Sequence, residues 1–144
     1  MILECSGFGK RQTKILNEAV PFFVQKLIGY RTQSVLELSF VRTDMEECGM
    51  CEYEYSNISP RSFIIEIGKK VKGDEFIKTI AHELVHVKQY VKGELKERYT
   101  PRSHLLWHNK VVEVTEDSYY SAPWEIEARE LEQKLFLLFV NRIN

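Results

Sequence analysis

Ile80-Ala81-His82-Glu83-Leu84-Val85-His86-Val87-Lys88-Gln89-Tyr90 is the stretch that decides how this chain folds. At roughly 100° per residue, Ile80, Leu84, Val87 and Val91 gather on the side opposite His82 and His86. That pattern predicts an amphipathic helix with one packing face and one face that offers ligands. Gly73-Asp74 opens the helix, with Asp74 as the expected N-cap, and it runs to about Lys92, where Gly93 supplies a stop. His82 and His86 then stand one turn apart on one face. Two imidazoles at that spacing can hold one zinc ion, and Glu83 is placed to act as general base towards a water that the metal activates. Gln89 shares the histidine face and is expected beside the ligands or the substrate. The competing reading is a chance His-Glu-x-x-His string with two half-exposed histidines. The strong amphipathicity of the helix and the strand run before it favour the metal reading.

Upstream, three stretches read as strands. Residues 34–41 alternate, with Leu36, Leu38 and Phe40 on one face and Glu37 and Ser39 on the other. Residues 51–56 alternate Tyr53 and Tyr55 against Glu52 and Glu54, and residues 62–68 form a short β-branched run. Asn57 to Ser62 reads as a turn, so the three are expected as an antiparallel meander. Before them, Leu16, Val20, Phe23 and Leu27 recur at helical spacing up to Gly29. Pro21 inside that run predicts either a kink or two abutting helices.

Downstream, residues 104–114 look like a hairpin turning at His108-Asn109. Pro123 suits a first helical turn. A long helix follows, packing through Trp124, Ala128, Leu131, Leu135 and Phe139. The expected class is α+β, as a single domain over residues 1–144. Its parts are an N-terminal helix, a small three- to four-stranded sheet, the His-Glu-x-x-His helix, a hairpin and a C-terminal glutamate helix.

Composition narrows the setting. Twenty basic residues meet 21 acidic ones for a net charge of -1, so the total gives no electrostatic case for nucleic acid or a membrane surface. There is neither a secretory leader pattern nor a transmembrane run. Cys5, Cys48 and Cys51 are sparse and odd in number, which favours a reducing, cytoplasmic location over a disulfide scaffold. Cys48-Gly49-Met50-Cys51 lacks the second pair a structural zinc requires, and reads as a turn before a strand with cysteines filling small spaces. Lys92, Lys96, Arg98 and Arg102, interrupted by Glu94 and Glu97, read as a solvated loop.

A catalytic zinc takes three protein ligands and keeps one position open. Position 92 is Lys92, so no third histidine follows His86 at six residues. His104 and His108 lie in the predicted hairpin, from which His108 can approach the metal. Glu125, Glu127, Glu130 and Glu132 line the last helix and offer carboxylates. A purely solvated glutamate face is the alternative.

Glu125-Ile126-Glu127-Ala128-Arg129, taken with His82, Glu83 and His86, resembles the gluzincin metallopeptidases. The second active-site helix of that family carries a Glu-x-x-Ala-Asp type pattern, matched here at Glu125 and Ala128. The chain departs at Arg129, where many relatives carry an acidic or amide residue that orients a ligand histidine. That role lies elsewhere in this chain or is absent. The resemblance covers mainly residues 63–132 and looks like a minimal gluzincin, as in small bacterial and phage metallopeptidase-like proteins.

It implies a zincin-like fold and Zn²⁺ held by His82, His86 and Glu125, with Glu127 in reserve. It further implies hydrolysis of a peptide or protein substrate with Glu83 as general base. Tyr119, Tyr120 and His108 are the candidates for stabilising the oxyanion. The strand at 62–68 is expected as the edge strand bordering the cleft, and Trp107 and Trp124 either line a pocket or belong to the core. The alternative function is a zinc-binding, metallopeptidase-like regulatory or binding module with little general proteolysis. The sequence does not specify an oligomeric state.

Overall fold

Leu16, Val20, Phe23 and Leu27 are all buried along one face of a single helix, α1 (Lys10–Leu27), which runs on through Pro21. Of the two outcomes expected at that proline, two abutting helices is the one that does not occur. A computed structural model describes residues 1–53, 60–98 and 103–142. Before α1 comes a strand, β1 (Ile2–Ser6), and after it a short turn of helix, α2 (Tyr30–Gln33). The sheet continues with β2 (Glu37–Thr43), β3 (Gly49–Tyr53) and β4 (Ser62–Gly68). Then come α3 (Asp74–Val91), β5 (Leu95–Arg98), β6 (His104–Trp107), β7 (Lys110–Val112), a 3₁₀ segment (Glu116–Ser121) and α4 (Pro123–Val140). The fold is α+β. No described helix is long and apolar enough to cross a membrane.

The main sheet has the order β1-β2-β4-β3. β1 and β2 pair in parallel, β2 and β4 pair in parallel, and only β3 and β4 are antiparallel. The expected all-antiparallel meander is therefore corrected to a mixed sheet. Parallel neighbours need a crossover. α1 and α2 supply it between β1 and β2. Alternation alone cannot tell a strand which neighbour it takes, and β1 is short, with Glu4 between the partly buried Leu3 and Cys5. The expected strand 51–56 is described only to Tyr53; its remainder lies outside the described residues.

A second correction follows. β4 is flanked on both sides, so it is not an edge; the edge on that side is β3. The five-residue link from β2 to β3 crosses the end of β4, where the Gly68 amide donates to Cys48 O at 2.9 Å. A Cβ on Gly68 would lie 2.5 Å from Glu47 O, so only glycine lets the link pass there. That crossing lays residues 46–48 beside the start of β3.

Leu38 and Phe40 of β2 and Phe63, Ile65 and Ile67 of β4 form the buried inner face of the sheet. α3 packs on this face and α1 and α4 pack on α3. Phe139 of α4 meets Phe22 and Phe23 of α1, each ring 5.5 Å away. Each fully buried phenylalanine contributes about 1.5–3 kcal/mol by leaving water.

Gly73, at φ 63°, is the N-cap of α3, and Asp74 is the first helical residue rather than the cap. Its charge still suits the positive end of the helix. Gly93, at φ 71°, follows the last turn as expected. The hairpin turns at His108 and Asn109, both with positive φ, 49° and 68°. Primed turns of this kind match the twist of two-residue hairpins. The stretch read as a solvated loop contains β5, which pairs with β6. Buried Leu95 anchors it in a small cluster with Ala122 and Trp124. Its alternating charges hid it, and Arg102 lies outside the described residues.

Candidate metal centre

Both faces of α3 are covered. Ile80, Leu84 and Val87 face the core at 0% exposure, while Glu83, His86 and Gln89 are buried at 4%, 8% and 0% on the side turned towards α4. α4 meets α3 through Glu125, Ala128 and Glu132, which recur at helical spacing along one face. Ala128 is fully buried between the two glutamates, and its small side chain allows the helices to approach.

Glu125 sits between the two histidines. Its Oε2 lies 3.1 Å from His82 Nε2 and its Oε1 lies 3.1 Å from His86 Nε2. One ligand atom from each of the three residues falls within 4.8 Å of the others, an arrangement that can hold a metal ion. The other ring nitrogens are engaged. His82 Nδ1 donates to Glu132 Oε1 at 2.8 Å, and His86 Nδ1 donates to Gln89 Oε1 at 2.8 Å. Gln89 is itself fixed, its Nε2 donating to Trp124 O at 2.9 Å and to Glu127 Oε1 at 3.0 Å. These bonds set each ring so that Nε2 faces Glu125, as a metal ligand requires.

The charge balance is that of a cation site. Burial alone would lower the His82 pKa, but its hydrogen bonds to Glu125 and Glu132 outweigh burial and raise it to about 10. His86 is raised in the same way, burial being overcome by Glu125. Burial would raise the Glu125 pKa, but hydrogen bonds from both histidines hold it well below the usual carboxylate range. Both shifts favour positive charge on the histidines beside Glu125, where a bound cation would place its own.

Glu83 completes the test of fit. It is 4% exposed, and its Oε2 has no hydrogen-bond partner. Burial is the main cause that raises its pKa. A buried carboxylate oxygen left unpaired beside a His/His/Glu set fits a divalent cation carrying a water. Gly49 of β3 lets Glu83 take this place: a Cβ there would lie 3.0 Å from Glu83 Cγ and 2.9 Å from Thr79 Cγ2.

Above the triad opens a cleft of about 490 Å³. Residues 46–49 form one wall, and Tyr119, Tyr120 and Arg129 form the other. A Thr115–Ser118 capping box shapes the 3₁₀ segment that carries the tyrosines. Arg129 Nη2 donates to Tyr120 O at 2.6 Å and ties that segment to α4. Burial first, then Glu125 and Glu83, raise the Tyr119 pKa, so its hydroxyl keeps its proton.

Comparison with protein-family models, with curated proteins and with solved structures gave no match. What the site can do therefore rests on its own residues.

Among the residues singled out from sequence, the structure brings together His82, Glu83, His86 and Glu125, and sets Tyr119 and Tyr120 on the cleft wall. His108 does not line the cleft. It sits at the β6–β7 turn against Trp107, ring centroids 4.6 Å apart. Glu127, the reserve ligand, is bound to Lys88 Nζ at 2.9 Å and to Gln89 instead. Trp124 is core, with Trp107 packed on it at 6.2 Å. Cys51 packs against the core, Cys48 is exposed on the cleft rim, and both are free. Glu132 was not singled out as an orienting residue, yet it holds His82, the role missing at Arg129. It stands seven residues after Glu125, two turns along the same face.

Proposed function

We propose that this chain is a zinc-dependent metallopeptidase of the gluzincin kind. The observation that carries the reading is the His82-His86-Glu125 group beside Glu83, whose buried Oε2 has no partner and whose side chain lines an open cleft. His82 Nε2, His86 Nε2 and a Glu125 oxygen would hold the ion, and two imidazoles with one carboxylate suit zinc. Zinc bound there supplies Lewis acidity, which makes a water acidic near neutral pH and polarises a carbonyl.

The chain's own groups do the rest. Glu83 takes the water's proton on its carboxylate as the peptide carbonyl is attacked, and passes it to the departing amine. Burial, which favours its protonated form, helps it keep that proton between the two events. Glu132 and Gln89 hold the imidazoles in one tautomer and orientation. The Tyr119 hydroxyl, on the cleft wall and protonated, is the donor for the developing oxyanion.

The test is turnover of a quenched-fluorescence peptide library by zinc-supplied protein beside Glu83→Gln. The expected outcome is zinc retained in both and turnover lower by about 10²- to 10⁴-fold in the variant, the usual share of a general base. Undiminished turnover in Glu83→Gln would refute the assignment of Glu83.

A further inference from the structure

The chain as a whole is nearly balanced, at -1, but the cleft is not. Glu46, Glu47 and Glu75 stand on its rim above Glu83, Glu125 and Glu132, and Arg129 is the one lysine or arginine among its lining residues. A divalent cation and the Arg129 guanidinium together leave these six carboxylates in excess.

The inner carboxylates have work within the site: Glu125 and Glu132 hold the histidines. The rim is different. Glu46 and Glu47 are exposed, and among the described residues no ion pair engages either. Glu75 has Lys78 Nζ only at 3.9 Å, with its own side chain 69% exposed. An acidic rim alone would be a solvated surface. Here a second feature lies in the same cleft: Glu83, whose side chain lines it, is 4% exposed and has a carboxylate oxygen without a partner. A cleft lined by such a group and by these unpaired carboxylates is built to receive a ligand. The link carrying Glu46 and Glu47 runs straight into β3, the sheet edge bordering the same cleft. An edge strand offers main-chain partners to an extended polypeptide with little choice of side chain, so charge must supply the selectivity.

We infer that the cleft selects polypeptides bearing a lysine or arginine beside the bond to be cut, through Glu46 and Glu47. This rests on the peptidase reading for its reaction but not for its binding preference. Walls of low dielectric around one sign of charge focus the field on an entering cation. Lysine and arginine differ in how they meet a carboxylate, and both fit an exposed pair.

The experiment uses the full chain carrying Glu83→Gln, supplied with zinc, so that peptides bind without being consumed. Three fluorescein-labelled peptides of equal length carry lysine and arginine, glutamine, or glutamate at the same positions. Anisotropy is read at about 0.01 M and about 1 M salt, where the screening length falls from about 30 to about 3 Å. The basic peptide is expected to bind about tenfold tighter than the neutral one at low salt, as a partly screened charge contact gives. The acidic peptide binds weakest. The preference fades at high salt and disappears when Glu46→Gln and Glu47→Gln are added.

Equal binding of the three peptides, no measurable binding of the basic one, or a preference that survives the two rim substitutions would each overturn the inference. Wild-type cleavage separates the two claims. Cleavage without charge preference sinks this inference and leaves the peptidase reading standing. A basic-peptide preference with no cleavage of any peptide sinks the peptidase reading and leaves the cleft preference standing.

Discussion

The face of α3 that carries Ile80, Leu84 and Val87 and the face that carries Glu83, His86 and Gln89 are both buried, by different chemistry. The first is covered by the sheet and α1 and needs nothing but shape and apolar area. The second is covered by α4 and is tolerable only because each polar atom is matched: Glu132 to His82, Gln89 to His86, Glu125 to both. Burying polar groups without partners would cost more than the contact returns. The exception on that face is Glu83 Oε2, and an exception so placed marks where something else belongs. One face holds the fold, and the other holds a site at the fold's expense.

The two faces should therefore fail differently. The largest effect on folding is expected at Leu84→Ala, which empties the apolar face. Leu84 is 0% exposed, and urea unfolding should show a loss of about 2–5 kcal/mol. Zinc affinity of the protein that remains folded should be unchanged. A matching loss of affinity would mean that the faces are not separable.

On the polar face, Gln89→Ala or Glu132→Ala should weaken zinc binding about 10- to 100-fold, because each frees one imidazole to rotate. Competition with a chelator of known affinity reads this directly. No change for Glu132→Ala would deny it the orienting role.

Gly49→Ala should have the smallest effect on the fold and a selective one on the site. The new Cβ would press on Glu83 Cγ and Thr79 Cγ2, at 3.0 and 2.9 Å. Overpacking of this kind costs about 1–3 kcal/mol. The expected signature is a lower kcat with zinc content and KM near wild type. A change in KM alone would place Gly49 in binding rather than in positioning Glu83.

Much of this division is legible in the sequence alone. The apolar stripe of α3 and the stripes of α1 and α4 follow from residue spacing, and each is buried where the spacing puts it, Leu131 of α4 only partly. Four glutamates on one helix look alike by spacing, and only the family likeness singles out Glu125 as the partner of His82 and His86. Glu132 was readable at two turns from Glu125, but only once Glu125 had been chosen.

Other features had no local signal. Whether β2 takes β3 or β4 as neighbour depends on a link that crosses a strand end at Gly68, a contact 20 positions away from Cys48 in the chain. The distance of His108 from the cleft depends on how the second sheet docks, which strand alternation does not encode. β5 was hidden because Lys96, Glu97 and Arg98 have the composition of a solvated loop, and the single buried residue Leu95 is too little periodicity to notice.

The most direct test of the central claim is zinc stoichiometry and affinity of the full chain, wild type beside Glu125→Ala, with Glu127→Ala as control. Two imidazoles and one carboxylate predict about one zinc per wild-type chain. Binding should be retained in Glu127→Ala, whose carboxylate serves Lys88 and Gln89, and lost in Glu125→Ala. Metal ligation requires neutral imidazole, and the metal-free His82 holds its proton up to a pKa of about 10. Zinc binding near pH 8 should therefore expel protons into the buffer, read as a dependence of the calorimetric heat on buffer ionisation. Full zinc binding by Glu125→Ala, or none by the wild type, would contradict the account.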